Sequence, residues 1–389
     1  MKYRHLTNGR PAILALADGT IFKGTARGAS ATGCTTTGEV VFTTGMTGYQ
    51  EVLTDPSYAG QIVTMTAPQI GNTGINREDD EGEKPRLKGF VTRELSPTVS
   101  NWRSQCSLDE YLSHWGILAI DGVDTRALTR HIRDKGAQNG TISAVDDFSD
   151  STISRLINLA ANAPSMNGLD LATAVSTREG YVWTEGSGAW KQEGILGGTG
   201  MHVVVMDFGV KKNILRLLVD LGCKVTVIPS KTPTKDIHSL NPDGLFVSNG
   251  PGDPAAIGYA IHNLRLLLES GLPTFGICLG HQLMSLAWGA KTEKLKFGHR
   301  GINQPVRDLS TGHVEITTQN HGFVVTDLPP HLTPTHVHLN DNTIEGIRHT
   351  TLPSFSVQYH PESGGGPHDS HYLFHRFVSN MVIRTRTRK

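Results

Sequence analysis

Cys278 stands between two glycines in Gly276-Ile277-Cys278-Leu279-Gly280. The apolar run before it reads as a strand and the run after it as a helix. A nucleophile at such a turn is the geometry of a nucleophile elbow, here with cysteine in the serine position. The turn is sharp, so the residues packed around it must be small. A helix starting at Leu279 aims its positive end at the sulfur and favours thiolate. The Leu279 N–H then points to where an oxyanion would form. The chemistry implied is attack of a thiolate on an acyl group. That attack needs a base that also donates to the leaving group. His360-Pro361-Glu362 offers an imidazole and a carboxylate. Pro361 keeps His360 out of the helical region, and in extended chain residues two apart face the same way. Glu362 can therefore hold the His360 ring in one tautomer, and the order of such a triad along the chain is free to vary. Taken alone, a His-x-Glu pair is an ordinary surface ion pair.

The elements around these residues decide whether they meet. From about residue 202 the rhythm is βαβ, with strands predicted at 202–206, 224–228, 244–248 and 273–277 and helices at 212–221, 259–269 and 279–288. Apolar strands separated by helices argue a doubly wound, mostly parallel sheet, which binds ligands at the carboxyl ends of its strands. Cys278 and the loop Asn249-Gly250-Pro251-Gly252-Asp253-Pro254 both fall at such ends, and the loop offers a second oxyanion donor.

The first ~150 residues read differently, as a mixed α+β domain. A hairpin is predicted at 12–16 and 20–23 around Asp18-Gly19, with further strands at 39–42, 61–66, 90–93 and 117–120. Helices are predicted at 108–114, from Asp124 or Thr125 to Arg133, and at 151–161. Glycines crowd between Gly180 and Gly200 and mark a linker. The expected domains are 1–190 and 201–389. Gly197-Gly198-Thr199-Gly200 is not read as a phosphate loop, because it precedes its strand rather than following it.

Composition narrows the classes. The chain has 389 residues, enough for two domains. Lys plus Arg and Asp plus Glu both number 36, so there is none of the basic excess that nucleic acid demands. Glycine is high, 43 of 389 residues, but not periodic, which excludes collagen. No apolar run nears a membrane span, and the apolar stretch 12–17 is short for a signal peptide, so a cytoplasmic protein is expected. Cys34, Cys106, Cys223 and Cys278 form no CxxC pair and suggest neither a zinc ribbon nor a disulfide framework. Cys223 reads as a small buried hydrophobe. His368, His371 and His375 have helical spacing but lack a nearby Cys or Glu, so they read as solvated or packed histidines rather than a metal site.

The segments Ser248 through Pro254, Gly276 through Gln282 and Tyr359-His360-Pro361-Glu362 together resemble the class I (triad) glutamine amidotransferases. The first half is similar to the amino-terminal domain of carbamoyl-phosphate synthase small chains. That likeness runs through Gly38-Glu39-Val40-Val41-Phe42-Thr43-Thr44-Gly45-Met46-Thr47-Gly48-Tyr49-Gln50-Glu51, Gly71-Asn72-Thr73-Gly74 and Ile120-Asp121-Gly122-Val123-Asp124-Thr125-Arg126. Phe208-Gly209-Val210-Lys211 and Gln319-Asn320-His321-Gly322-Phe323 extend it into the second half.

The resemblance implies a glutaminase subunit with Cys278, His360 and Glu362 as catalytic residues and a glutamyl thioester on Cys278. It implies glutamine contacts at Ser57, Gly250, Gly252, Leu279, Gln282, Asn320, Gly322 and Phe323, with Ser57 reaching in from the other domain. Gln282, one helical turn after Cys278, would hold the α-amino or the α-carboxylate group. Ammonia would pass to a large synthetase subunit that uses bicarbonate and two ATP, and the product would feed arginine and pyrimidine synthesis. No metal or cofactor is expected in this chain, and the absence of a P-loop argues against an ATP site; ATP and divalent metal are expected on the large subunit. Ser363-Gly364-Gly365-Gly366 departs from the family's usual Ala, Ser and Pro, which should alter only loop stiffness. Two other readings remain: a glutaminase subunit of an anthranilate or GMP synthase type, and a catalytically dead scaffold for the synthetase.

Overall fold

A computed structural model describes residues 9–31, 33–191 and 200–387. The linker glycines Gly194, Gly197 and Gly198 and the basic residues Lys2 and Arg4 lie outside the described residues. The chain divides into two compact units, 1–166 and 167–389. The division falls earlier than the glycine-rich stretch. The reason is the short strand Tyr181–Trp183, which pairs antiparallel with Lys224–Pro229 and so belongs to the second unit's sheet.

In the first unit the strands close into a barrel. Its order is Pro11–Leu16, Ile21–Gly28, Leu118–Asp121, Gly89–Val91, Gln61–Met65, Thr35–Thr43 and Gln138–Ala144, which pairs back onto Pro11–Leu16. The predicted hairpin around Asp18-Gly19 is present, with Gly19 at φ 90°. Leu14, Leu16 and Val40 crowd against Gly140 inside, where even a Cβ would collide with the Val40 side chain. Outside, Tyr49, Leu53, Leu108 and Leu112 pack on Val41, Val63, Phe90 and Ala119. The sequence pattern does not reveal Gln138–Ala144, whose Gln-Asn-Gly start looks like a turn, and without that strand the closure is invisible.

The second unit holds a ten-stranded sheet among the described residues. Lys224–Pro229, His202–Asp207, Gly244–Val247, Thr274–Ile277 and Ser354–Val357 run parallel in that order. Both faces are buried, which is why these strands are continuously apolar. Val203 and Val205 pack with Ile214, Leu218, Phe374 and Phe377, whereas Val204 and Met206 pack with Leu264, Leu268 and Leu283. The sheet continues antiparallel through Ile344–His349, Val314–Thr326, Lys291–Asp308 and Leu332–His338. These strands have no apolar run to announce them; Lys291–Asp308 begins Lys-Thr-Glu-Lys. No helix among the described residues is long and apolar enough to cross a membrane.

Candidate active site

Three neighbouring parallel strands deliver the site. Gly244–Val247 ends at the Gly250 loop, Thr274–Ile277 at Cys278 and Ser354–Val357 at His360. Cys278 has φ 53° and ψ −105°, a backbone conformation that L-residues avoid, and it sits as the cap of the helix Leu279–Ala287. Its N–H donates to Val357 O at 2.9 Å and its carbonyl accepts from Gln282 N at 3.1 Å, so the turn is held from both sides. The flanking glycines have physical causes. A Cβ on Gly280 would strike the Val247 carbonyl, and one on Gly276 would lie 2.9 Å from Gly280 C. Cys278 is 2% exposed, and its Sγ–H reaches Asn320 O at 3.6 Å.

His360 and Glu362 are buried, and His360 Nδ1 lies 2.7 Å from Glu362 Oε1. This fixes the tautomer and leaves Nε2, which has no hydrogen-bond partner, as the working nitrogen. Burial disfavours the imidazolium. The Glu362 carboxylate nevertheless raises the His360 pKa; Lys211 opposes that rise and Cys278 adds to it. Glu362 is lowered, despite burial, by Lys211 first and His360 second. Lys211 Nζ donates to Glu362 Oε1 at 2.9 Å, Asn213 donates to the Glu362 carbonyl, and Lys211 N donates to Asn249 Oδ1 at 3.1 Å. Lys211 was visible in the sequence only as part of a family motif. No spacing rule connects it to a carboxylate some 150 residues on.

The loop glycines also have a cause in the backbone around them. A Cβ on Gly250 would meet the Phe208 carbonyl; one on Gly252, at φ 99°, would lie 2.7 Å from Leu169 O. The unit's own backbone thus requires both glycines. Asp253 ties the loop down, accepting from Gly168 N at 2.8 Å and Ala255 N at 2.9 Å.

Gln282 Nε2 donates to Phe323 O at 2.9 Å and to Gln358 Oε1 at 3.0 Å. Both its amide hydrogens are engaged, so Oε1 is the end that remains for a ligand. Asn320, Gly322 and Phe323 lie on one strand, joined to the elbow through Cys278 Sγ and Gln282. The second unit therefore gathers Cys278, Leu279, Gln282, Asn320, Phe323, His360 and Glu362. Ser57 stands on the first unit in the turn Pro56–Tyr58, its N–H held by Asp55 Oδ1 at 2.8 Å. His368 and His371 stack at 4.6 Å between ring centroids.

Residues 14–142 match the family model described as carbamoyl-phosphate synthase small chain, CPSase domain. Residues 204–380 match the one described as glutamine amidotransferase class-I. The chain is 56% identical over 376 residues to the carbamoyl phosphate synthase small chain of Syntrophotalea carbinolica, covering 95% of this chain and 97% of that one. It is 53% identical to that of Rubrivivax gelatinosus (96% and 98% covered) and 54% identical to that of Thermosynechococcus vestitus (95% and 96% covered).

Proposed function

The chain belongs to the carbamoyl phosphate synthase small chain family, and on that premise we propose that it hydrolyses the side-chain amide of glutamine through a thioester on Cys278. The observation that supports this reading is the buried run Lys211–Glu362–His360, which leaves one imidazole nitrogen unpartnered on a ring that the Cys278 side chain influences.

Sγ adds to the amide carbon with its proton held on His360 Nε2, the form that the raised His360 pKa favours. The oxyanion meets the Leu279 N–H, the first of its helix, with a second donor from the Gly250 loop. His360 returns the proton to the nitrogen, and ammonia leaves from a thioester. Water, deprotonated at the same nitrogen, then releases glutamate and restores the thiol. Gln282 Oε1, an acceptor, suits the α-ammonium group rather than the α-carboxylate. The partner is a large synthetase subunit that consumes the ammonia with bicarbonate and two ATP, and ATP and its divalent metal belong to that subunit.

The match over 14–142 decides against an anthranilate or GMP synthase subunit, since it covers the half which that reading leaves unexplained. The scaffold reading gives no reason to keep a strained, buried cysteine beside a polarised histidine.

Rapid quench with labelled glutamine tests the mechanism. Label should be trapped on Cys278 and vanish in Cys278→Ala together with ammonia release. Unchanged ammonia release from the alanine variant would sink the thioester. Adding a purified large subunit should give glutamine-dependent carbamoyl phosphate; a partner that makes product from free ammonia only would break the pairing.

A further inference from the structure

A second cluster lies on the antiparallel side of the same sheet. His299 on Lys291–Asp308 is the cross-strand partner of His321 on Val314–Thr326. Glu345 is on Ile344–His349, which pairs with the same strand through Val325 and Ile344. All three side chains are buried: 9%, 4% and 0% exposed. We propose that His299 Nδ1, His321 Nε2 and Glu345 Oε1 bind one divalent cation of the zinc class.

The first reason is that three lone pairs converge without donors. His299 Nδ1 and Glu345 Oε1 face each other at 3.6 Å, too far for a good hydrogen bond, and neither has another hydrogen-bond partner among the described residues. His321 Nδ1 lies 2.9 Å from the Phe323 carbonyl, so its proton sits there and Nε2 carries a lone pair. That nitrogen faces Gln319 Oε1 at 3.1 Å, an acceptor against an acceptor. The Gln319 amide is not free to turn, because its Nε2 donates to Glu345 Oε2 at 3.0 Å and to Thr317 Oγ1 at 3.2 Å. Buried polar atoms left so are costly unless something binds them.

The second reason is spacing. Glu345 Oε1 lies 3.6 Å from His299 Nδ1 and 3.9 Å from His321 Nε2, and all three ligand atoms fall within 4.8 Å of one another. Bonds of about 2.0–2.2 Å to a tetrahedral ion separate ligands by roughly 3.3–3.6 Å, a contraction of some tenths of an ångström for the carboxylate contacts.

The third reason is the outer contacts. A metal-bound imidazole characteristically donates its far N–H to a carboxylate or a carbonyl. His299 Nε2 lies 2.8 Å from Asp341 Oδ2, and His321 Nδ1 faces the Phe323 carbonyl. The second oxygen of Glu345 is held by Gln319. His338 stacks on His299 at 4.3 Å but is not a ligand: Nε2 pairs with Gln304 Oε1 at 3.1 Å and Nδ1 accepts from Asn340 N at 3.2 Å.

Two imidazoles and one carboxylate form a His₂Glu set suited to zinc, whereas magnesium and calcium prefer oxygen alone. This departs from the sequence expectation of a chain without metal, because cross-strand register, not sequence spacing, brings the ligands together. The ion would clamp the strand that carries Asn320, Gly322 and Phe323, so it positions glutamine contacts and takes no part in bond making.

The test uses untagged full-length chain, stripped with chelator and titrated with zinc against a competing chromophoric chelator. One equivalent should bind with a Kd of about 1 μM or tighter. Glu345→Gln and His299→Gln should weaken it at least ~100-fold, and Cys278→Ala should leave it unchanged. Cobalt added to the unaltered chain should give the intense visible bands of four-coordination, a readout that needs no variant. Restoring zinc should lower the glutamine KM more than it changes kcat. No binding tighter than micromolar, or zinc lost in Cys278→Ala but kept in Glu345→Gln, overturns the proposal. In those cases the lone pairs share a proton as a His299–Glu345 ion pair, or the metal sits on the nucleophile.

Discussion

The longer helices begin in different ways in the two units, although the six-residue Tyr49–Thr54 of the first also lacks a side-chain cap. In the first, Ser107 and Glu110 form a capping box at Leu108–His114, Asp124 caps Thr125–Lys135 and Ser149 caps Asp150–Ala161. In the second, Lys212–Asp220, Gly258–Glu269 and Leu279–Ala287 start with no side-chain cap. A cap satisfies orphan N–H groups and stabilises by about 1 kcal/mol. At Leu279 the cap position is the nucleophile itself, so the helix keeps its first N–H groups for a substrate oxygen. One backbone feature is closed off in the longer helices of the first unit and left open at the nucleophile in the second. Among the described residues, the unpartnered buried imidazole and carboxylate atoms, including His281 Nε2, His299 Nδ1, Glu345 Oε1 and His360 Nε2, lie in the second unit, whereas the first has unpartnered amide and hydroxyl oxygens such as Gln61 Oε1 and Thr64 Oγ1.

Substitutions can break that contrast. The largest effect should come from His360→Asn, which removes the general acid–base and should cut glutamine-dependent ammonia release about 10³-fold with the fold retained. Activity within tenfold of the parent would mean that the orphaned nitrogen is not catalytic. Lys211→Met leaves Glu362 buried without its ammonium, and urea unfolding should show a loss of about 3 kcal/mol.

Next comes pH. His360 is raised above the ordinary 6.5, so its contribution is full below pH 6.5 and lost as pH rises through the raised value. Glu362 is lowered below the ordinary 4.5, so its contribution is full above pH 4.5 and lost as pH falls through the lowered value. The pair therefore stabilises most between pH 4.5 and 6.5. Glu362→Gln should flatten both flanks of the Tm–pH curve; unchanged flanks would show that other groups set them.

The smallest effect belongs to the first unit. Asp124→Ala should cost about 1 kcal/mol in urea and leave glutaminase activity untouched. If that variant lost activity, the division between stabilising and working helix starts would fail.

What was legible in the sequence follows the same physics. Val203 through Met206 and Gly276 through Gly280 lie where both sheet faces are buried or the backbone is cramped, and such places restrict residue type enough to be read. Asp124 and Ser107 are caps with local signatures. Lys211, Gln358 and the His299–His321–Glu345 cluster were not legible as partners, because register between distant strands brings them together. The barrel's closure was hidden for the same reason: it depends on one strand that opens Gln-Asn-Gly.

That barrel carries a constraint of parity. Going once around a closed ring of strands, the direction must reverse an even number of times. With seven pairings, the number of parallel ones must therefore be odd, and three are found: Thr35–Thr43 with Gln61–Met65, Gln61–Met65 with Gly89–Val91, and Gly89–Val91 with Leu118–Asp121. A parallel neighbour cannot be reached by a tight turn; the chain must travel the full length of the barrel outside it. The first of those obligatory returns contains Tyr49–Thr54 and the turn with Ser57. An even-stranded ring of hairpins would close without any such return, and the chain would have had no excursion there on which to carry that serine.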